Sequence, residues 1–231
     1  MKSLAVIPAR GGSTRLKDKN IYPLAGKPLI RWITESVVAS ERFNHILVST
    51  DDDRIFDAVS DLGVVRHNRP AHHATVQATV LDAMMDLMDE VDDCDTFSYF
   101  LPTCPFVGVE DIRKGISLLP HADSVISMTQ IPETIQLACV MSGDNVLPIF
   151  DNLECGLTNS KFIKKYYKPS GAFYMGQWGS LLEHRNFFKG NVRGVIIPPE
   201  RSIDINTLRD IKYAEGFSTK YQQSSQWNPK Y

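Results

Sequence analysis

One stretch decides the fold: Leu4-Ala5-Val6-Ile7-Pro8-Ala9-Arg10-Gly11-Gly12-Ser13-Thr14-Arg15-Leu16-Lys17-Asp18-Lys19-Asn20. Residues 4–8 form a short apolar run that predicts a buried central strand. The strand opens into residues 9–20, a loop with paired glycines among arginines and lysines, at the end of a strand where open α/β sheets bind ligands. Backbone N–H groups at glycine approach a ligand closely because no Cβ intervenes. The stretch predicts a polyphosphate-binding loop, although a surface turn with solvated cations has the same composition.

The composition of the chain favours one α/β domain over residues 1–231 and excludes several functions. Binding of a phosphate backbone needs a concentrated basic face, and a balanced formal charge of −2 does not imply one, so we expect no nucleic-acid partner. The sequence has no apolar run of about 20 residues and no leader segment, so we expect no membrane association and a cytoplasmic protein. The four cysteines form no Cys-x-x-Cys pair, which predicts reduced, mostly packed thiols.

Apolar periodicity predicts alternating strands and helices, and therefore a mostly parallel central sheet. Strands are expected at 45–50, 64–71, 96–101, 124–128, 169–175 and 192–197, and helices at 29–40, 53–62, after Thr75, around 112–119, at 177–184 and around 211–217. The acidic run 51–53 either caps the helix that follows it or lies near a bound nucleotide, because it stands at the end of a strand.

Two segments depart from this alternation. Residues 129–168 contain short β-like pieces and a basic, aromatic stretch, which predicts a protruding arm, because aromatic residues argue against disorder. Residues 218–231 are rich in Gln, Ser and Tyr and predict a loosely ordered tail.

Asp204 and Asn206, and separately Cys104, suggest chemistry without deciding it. Asp204 and Asn206 are separated by one residue, so in an extended segment both oxygens face the same side and suit Mg²⁺. Asn206 and Thr207 equally well cap the following helix. Cys104 invites a nucleophile interpretation, but no histidine motif accompanies it, and we interpret it as a packing residue.

Taken together, the ordered motifs resemble the nonulosonic acid cytidylyltransferases, the family of CMP-N-acylneuraminate synthetase and its pseudaminic acid, legionaminic acid and CMP-Kdo relatives. The motifs are the loop 9–20, Ser-Thr-Asp-Asp (49–52), Arg-Pro-Ala (69–71), Pro-Thr-x-Pro (102–105), Gly-Ala-x-Tyr (171–174) and Ser-Ile-Asp-x-Asn (202–206). The resemblance implies a three-layer nucleotidyltransferase fold, Rossmann-like and GT-A-like, in which 129–168 is a dimerisation arm.

The resemblance also implies an activity. CMP would pass from CTP to the anomeric hydroxyl of a sialic acid-like nonulosonic acid, and pyrophosphate would be released. The enzyme would be a homodimer, and its product would be used in the biosynthesis of surface polysaccharides. It implies catalytic roles for Arg10, Lys19 and Asp204, and Mg²⁺ bound by Asp204 and Asn206. The implied nucleotide contacts are Ala9, Arg10, Gly11, Gly12, Ser13, Lys19, Asn20, Arg69, Thr75 and Thr103; the implied sugar-acid contacts are Lys161, Lys165, Gly171 and Tyr174.

Three positions depart from the family pattern and leave alternatives open. Thr14 stands where the family usually has lysine, Leu101 replaces a glutamine frequent in the sialic acid branch, and Asn206 replaces an aspartate. A neutral ligand at 206 would hold Mg²⁺ less tightly than a carboxylate does. One alternative is a glycosyltransferase of similar architecture that uses a nucleoside diphosphate sugar and binds its metal through Asp204 and Asn206. Another, suggested by Thr14 and Asn206 together, is a nucleotide-binding descendant without activity.

Overall fold

The computed structural model describes residues 2–70, 87, 88, 91, 94–159, 161 and 163–223. In chain order its strands are β1 (Ser3–Pro8), β2 (Pro23–Leu24), β3 (Lys27–Pro28), β4 (His45–Thr50), β5 (Val65–Asn68), β6 (Thr96–Phe100), β7 (Ser124–Gln130), β8 (Cys139–Ser142), β9 (Asn145–Pro148), β10 (Tyr167–Gln177) and β11 (Val192–Ile196). Its helices of at least five residues are α1 (Leu29–Ser40), α2 (Asp53–Asp57), α3 (Val109–Leu118), α4 (Trp178–His184) and α5 (Leu208–Gln223).

Within the described residues, seven strands form the central sheet in the order β11-β7-β10-β6-β1-β4-β5. All neighbours pair in parallel except β10, which runs antiparallel to both β6 and β7. The carboxyl ends of the parallel strands therefore meet at one edge of the sheet, together with the start of β10. The expected mostly parallel α/β sheet is confirmed.

Strand β1 is buried on both faces, as its continuous apolar run predicts. Leu4 and Val6 pack into a cluster with Leu87, Phe97 and Tyr99. Ala5 and Ile7 face the opposite cluster, which includes apolar side chains of α1 and α3. Apolar layers therefore cover both faces of the sheet.

Helix α1 has the bounds that its periodicity predicts, and Ile30, Ile33 and Val37 are fully buried. The helix expected over 53–62 is interrupted. Helix α2 ends at Asp57, Val59 leaves the helical conformation (φ −137°, ψ 0°), and a 3₁₀ turn follows at Ser60–Leu62. Burial of the Val59 side chain accompanies this break.

The arm leaves the sheet after β7 and returns at β10, where Ile131 N donates to Tyr166 O at 2.9 Å. Its centre is the antiparallel hairpin of β8 and β9, in which Val140 pairs with Leu147 and Met141 with Val146. All four side chains are more than half exposed. A hairpin that presents apolar residues on both faces protrudes from the domain.

Helix α5 continues to Gln223, past residue 218, where the loosely ordered tail was expected to begin. The rest of that tail lies outside the described residues. The first part of α5 packs through Ile211 and Ala214 into a third apolar cluster with Leu16, Trp32 and Phe106. None of the helices in the described part of the chain combines the length and the apolar character that a membrane span needs.

Candidate functional site

The loop 9–20 lies at the carboxyl edge of the sheet between neighbouring elements. Ala9 N donates to Ser49 O at 2.8 Å, which extends the β1–β4 pairing by one step. Leu16 is 5% exposed in the third apolar cluster and anchors the middle of the loop. The loop is thereby fixed at its start and its centre, while Gly12, Thr14 and Arg15 remain exposed.

The peptide group between Arg10 and Gly11 is held on both sides. Its carbonyl oxygen accepts a hydrogen bond from Nδ2 of the buried Asn20 at 2.9 Å. Its N–H group, at Gly11, donates to Oδ1 of Asp51 at 2.7 Å. Ser13 N also bonds within the loop, to Gly11 O at 2.8 Å. The Gly11 and Ser13 amides therefore donate within the protein, and neither is directed at a ligand here.

The segment 203–207 lies beside this loop. Ile205 is fully buried, and its N–H group donates to Thr103 O at 2.8 Å, so the segment is fixed to the turn that follows β6. Asp210 Oδ2 accepts from Asn206 N at 3.0 Å and from Thr207 N at 2.8 Å, and therefore caps α5. These bonds leave the Asp204 side chain exposed at the edge of the sheet.

The Asn206 side chain joins the two segments. Its Oδ1 accepts from Arg15 Nη2 at 2.9 Å and from Lys19 Nζ at 3.3 Å. Its Nδ2 donates to Asp204 Oδ2 at 2.8 Å. Two cations and one carboxylate therefore meet around one carboxamide.

The electrostatics of this group centre on Lys19. Burial lowers the pKa of Lys19, and the Asp204 carboxylate partly offsets this, while Arg15 and Arg10 lower the pKa further. A half-buried lysine among arginines is a strong site for an anion, because a bound anion relieves the repulsion between the cations.

A second group of expected residues lies along the same edge. Arg69 follows β5, and its positive charge opposes the rise that burial causes in the pKa of Tyr99. Burial raises the pKa of Tyr174, and the nearby Cys104 and Asp204 raise it further, which places this phenol close to the Asp204 segment. Gly171 has φ +82°, a left-handed conformation that favours glycine, where the β10 pairing shifts register.

The sequence matches the family of cytidylyltransferases over residues 4–145, more than half of its length. The chain belongs to the cytidylyltransferase family. It is 28% identical over 222 residues to the pseudaminic acid cytidylyltransferase of Campylobacter jejuni, covering 93% of this chain and 95% of that protein. It is 32% identical over 222 residues to the CMP-N,N′-diacetyllegionaminic acid synthase of Legionella pneumophila, covering 91% and 93%.

Among solved structures, the cytidylyltransferase shares its fold with CMP:2-keto-3-deoxy-manno-octonic acid synthetase complexed with CTP. The TM-score is 0.69 at 18% identity, over 96% of this chain and 100% of that chain. At this level of identity the likeness concerns the fold alone. It confirms the expected nucleotidyltransferase α/β architecture.

The residues present fit a magnesium ion held mainly by a nucleotide. Asp204 supplies one exposed carboxylate, and Mg²⁺ in such sites takes one or two carboxylates while phosphates and water complete its shell. The expected second ligand is not arranged for this purpose, because Asn206 turns its nitrogen toward Asp204 and its oxygen toward the cations. Within the described ranges, no cluster of three or more His, Cys, Asp or Glu side chains is placed to hold a metal ion.

The structure brings together most, but not all, of the expected site residues of the cytidylyltransferase. Residues 9–20, Thr103, Asp204 and Asn206 meet at one edge, and Tyr174 and Gly171 lie beside them. Lys161 and Lys165 are exposed on the returning part of the arm. Thr75 lies outside the described residues.

The structure also shows the roles of the cysteines and of the acidic run 51–53. Cys104 is fully buried, and burial raises its pKa to about 12, so it is a packing residue and stays a thiol. All four cysteines are free, as predicted, but only two of them are packed: Cys94 and Cys104 are buried, Cys139 is half-buried and Cys155 is exposed. In the acidic run, Asp52 caps α2 by accepting from Arg54 N at 3.0 Å.

Sequence reasoning missed two contributions to this site. Asp51 was weighed only as part of the acidic run, but its carboxylate contacts the loop directly. Arg201 and Asp111, which are 5% and 8% exposed, form a buried ion pair between α3 and the segment before Asp204. A Gly-x-x-Asp helix start at 108–111 signals the cap of α3 in the sequence, but nothing there signals the partner 90 residues away.

Proposed function

We propose that this cytidylyltransferase transfers CMP from CTP to the anomeric hydroxyl of a nonulosonic acid and releases pyrophosphate. The observation that carries the proposal is the meeting of Arg15 and Lys19 at Asn206, beside Asp204, at the carboxyl edge of the sheet. A triphosphate needs clustered cations, and the half-buried Lys19 is positioned for that role. Relatives of matching length that are named for pseudaminic and legionaminic acid support this class of acceptor.

In the proposed reaction, the acceptor hydroxyl attacks the α-phosphorus in line and forms a new phosphorus–oxygen bond. The bond from the α-phosphorus to the α–β bridging oxygen breaks, pyrophosphate leaves with its electron pair, and the hydroxyl proton passes to solvent. Arg10, Arg15 and Lys19 stabilise the charge that develops on the phosphate oxygens, because transfer of this kind depends mainly on positioning and electrostatics. Asp204 would hold Mg²⁺, which neutralises phosphate charge when it is bound. In this proposal Arg69 contacts the cytidine, and Gly171 and Tyr174 contact the acceptor.

The arm supports a homodimer as the active form. Val140 and Leu147 lie on one face of the hairpin and Met141 and Val146 on the other, and all are more than half exposed. Such a surface is stabilised when a second copy covers it. In the dimer, Lys161 and Lys165 of the arm would meet the carboxylate of the sugar acid at the neighbouring site.

Met141→Lys and Leu147→Lys test this assembly, because each places a charge on one face of the hairpin. Light scattering after size-exclusion chromatography should give a dimer for the wild type and a monomer for at least one variant. Val65→Lys on β5 is the matched control, since Val65 is also 55% exposed but lies away from the arm. A monomeric wild type, or dimeric variants throughout, would contradict the arm's role.

The activity is tested by pyrophosphate release from CTP and Mg²⁺ with N-acetylneuraminic, pseudaminic, legionaminic and Kdo acids as acceptors. We expect pyrophosphate with at least one nine-carbon acid and loss of it in Arg10→Ala. A glycosyltransferase would release none from CTP, and an inactive descendant would bind CTP without turnover. Reaction in the cytoplasm remains a prediction from the sequence.

A further inference from the structure

Three hydrogen bonds join the loop 9–20 to residues 49–54, the corner where β4 ends and α2 begins. The corner supplies Ser49 O to Ala9 N at 2.8 Å and Asp51 Oδ1 to Gly11 N at 2.7 Å. Arg54 Nη2 then bonds Asp18 Oδ1 at 2.9 Å, at a loop position with φ 52°. The corner therefore contacts the loop near both of its ends.

The contact of Asp51 needs a functional explanation, because it places a carboxylate beside a loop whose cations would bind an anion. By charge alone, Asp51 opposes a nearby triphosphate. It also occupies the Gly11 N–H group, which would otherwise be available to phosphate oxygens. A residue with these two costs needs a compensating function if the loop binds a nucleotide.

The second hydrogen bond of the same peptide group indicates that function. Asn20 Nδ2 donates to Arg10 O at 2.9 Å, and Asp51 Oδ1 accepts from Gly11 N. The two side chains therefore bind the carbonyl group and the N–H group of the same peptide, which point in opposite directions. The Arg10 side chain leaves the backbone next to this plane. If the plane were free to turn, the direction of the Arg10 side chain would turn with it.

We infer that Asp51 is a positioning residue, which together with Asn20 fixes the Arg10–Gly11 peptide so that Arg10 faces the nucleotide phosphates. This inference rests on the proposed function. It assigns to the acidic run a function besides the helix cap at Asp52. Asp51 positions the peptide through the hydrogen bond that its carboxylate oxygen accepts, and its negative charge does not contribute to nucleotide binding.

Two variants separate the hydrogen-bonding role of Asp51 from the effect of its charge, and Asp51→Ala is the variant for which the two roles predict opposite changes in CTP binding. Asp51→Asn removes the charge and keeps a side-chain oxygen for Gly11 N–H, so it should bind CTP at least as tightly as the wild type. Asp51→Ala removes the acceptor as well, and should weaken CTP binding about tenfold, the effect of one charge-assisted hydrogen bond. A purely electrostatic role would make both variants bind more tightly.

The experiment is isothermal titration of CTP with Mg²⁺ into the full chain, with Tm measured for every variant. Asp53→Asn is the matched control, since its side chain is 80% exposed and pairs with Arg66 away from the loop. The double variant of Asp51→Ala with Asn20→Ala should bind CTP little more weakly than the weaker single variant, because both residues hold one peptide.

Equal binding by Asp51→Ala and the wild type, equal weakening by Asp51→Asn and Asp51→Ala, or additive losses in the double variant would overturn the inference. A wild type that binds no CTP would instead overturn the proposed function. If Asp51→Ala does not fold, Asp51→Glu takes its place, because it keeps the charge and moves the acceptor oxygen by one methylene group. Weaker CTP binding than the wild type then supports the inference, and equal binding contradicts it.

Discussion

The amide nitrogen of the Asn206 side chain lies 2.8 Å from Oδ2 of Asp204, so this carboxamide donates a hydrogen bond to the neighbouring carboxylate. Two carboxylates at this separation repel each other unless a cation lies between them. With Asn206 in place, the pair is stable without a metal, and its oxygen is available to Arg15 and Lys19. This chain therefore combines one carboxylate with two hydrogen-bonded cations.

Asn206→Asp should lower the Mg²⁺ concentration needed for half-maximal activity, because a second carboxylate becomes available to the ion. The measurement is a titration of pyrophosphate release with Mg²⁺ at fixed CTP. Asn206→Ala is the comparison, since it removes the bonds to Arg15 and Lys19 without adding a ligand. An unchanged or higher Mg²⁺ requirement in Asn206→Asp would show that residue 206 does not reach the ion.

The pH dependence should report Lys19. Burial lowers the pKa of Lys19 from 10.5, and only its protonated form binds phosphate well, so kcat/KM for CTP should fall on the alkaline side with an apparent pKa below 10.5. The profile of kcat should fall at higher pH, because bound triphosphate stabilises the ammonium. Lys19→Arg should remove this limb, since a guanidinium stays charged. A limb that persists unchanged in Lys19→Arg belongs to another group.

The sequence predicts where the loop 9–20 lies but not all of its contacts. Local composition was sufficient to predict that residues 9–20 follow a buried strand at the ligand-binding edge. It could not predict that Gly11 N–H faces Asp51, because that bond joins residues 40 positions apart and depends on the register between β1 and β4.

In the sheet, too, the sequence predicts some features and not others. Periodicity gave β1, α1 and β4 with nearly correct bounds, because each buries a regular apolar pattern. It did not give the break after α2, where the buried Val59 departs from helical geometry, nor the antiparallel direction of β10 among parallel neighbours. Both features are set by tertiary packing, which single segments do not encode.

Gly12→Ala should leave stability unchanged and weaken CTP binding. A Cβ at Gly12 meets nothing within 4 Å, so any effect comes from a ligand that needs the space. Steady-state KM for CTP and Tm measure the two effects. Gly216→Ala in α5 is the control, because its Cβ also meets nothing, and it should stabilise the protein by about 0.5–1 kcal/mol without changing KM. An unchanged KM in Gly12→Ala would place the nucleotide elsewhere.

Arg201→Met should destabilise the protein by about 3–5 kcal/mol, because it leaves the Asp111 carboxylate buried and unpaired with a cation. Urea denaturation measures the free energy of unfolding. The double variant Arg201→Met with Asp111→Asn should recover part of the loss, since the buried charge is gone. Glu110→Ala, which removes an exposed pair with Arg113, should cost less than about 1 kcal/mol. Equal losses in Arg201→Met and Glu110→Ala would contradict the assigned importance of the buried pair.

The central claim is that the loop 9–20 and Asp204 hold the triphosphate of CTP, and a crystal structure of the chain with CTP and Mg²⁺ tests it most directly. We expect phosphate oxygens within hydrogen-bond distance of Arg10 and Lys19, Asp204 next to the ion, and Gly12 against the phosphates. A nucleotide bound away from this edge, or an empty loop with CTP present, would contradict it.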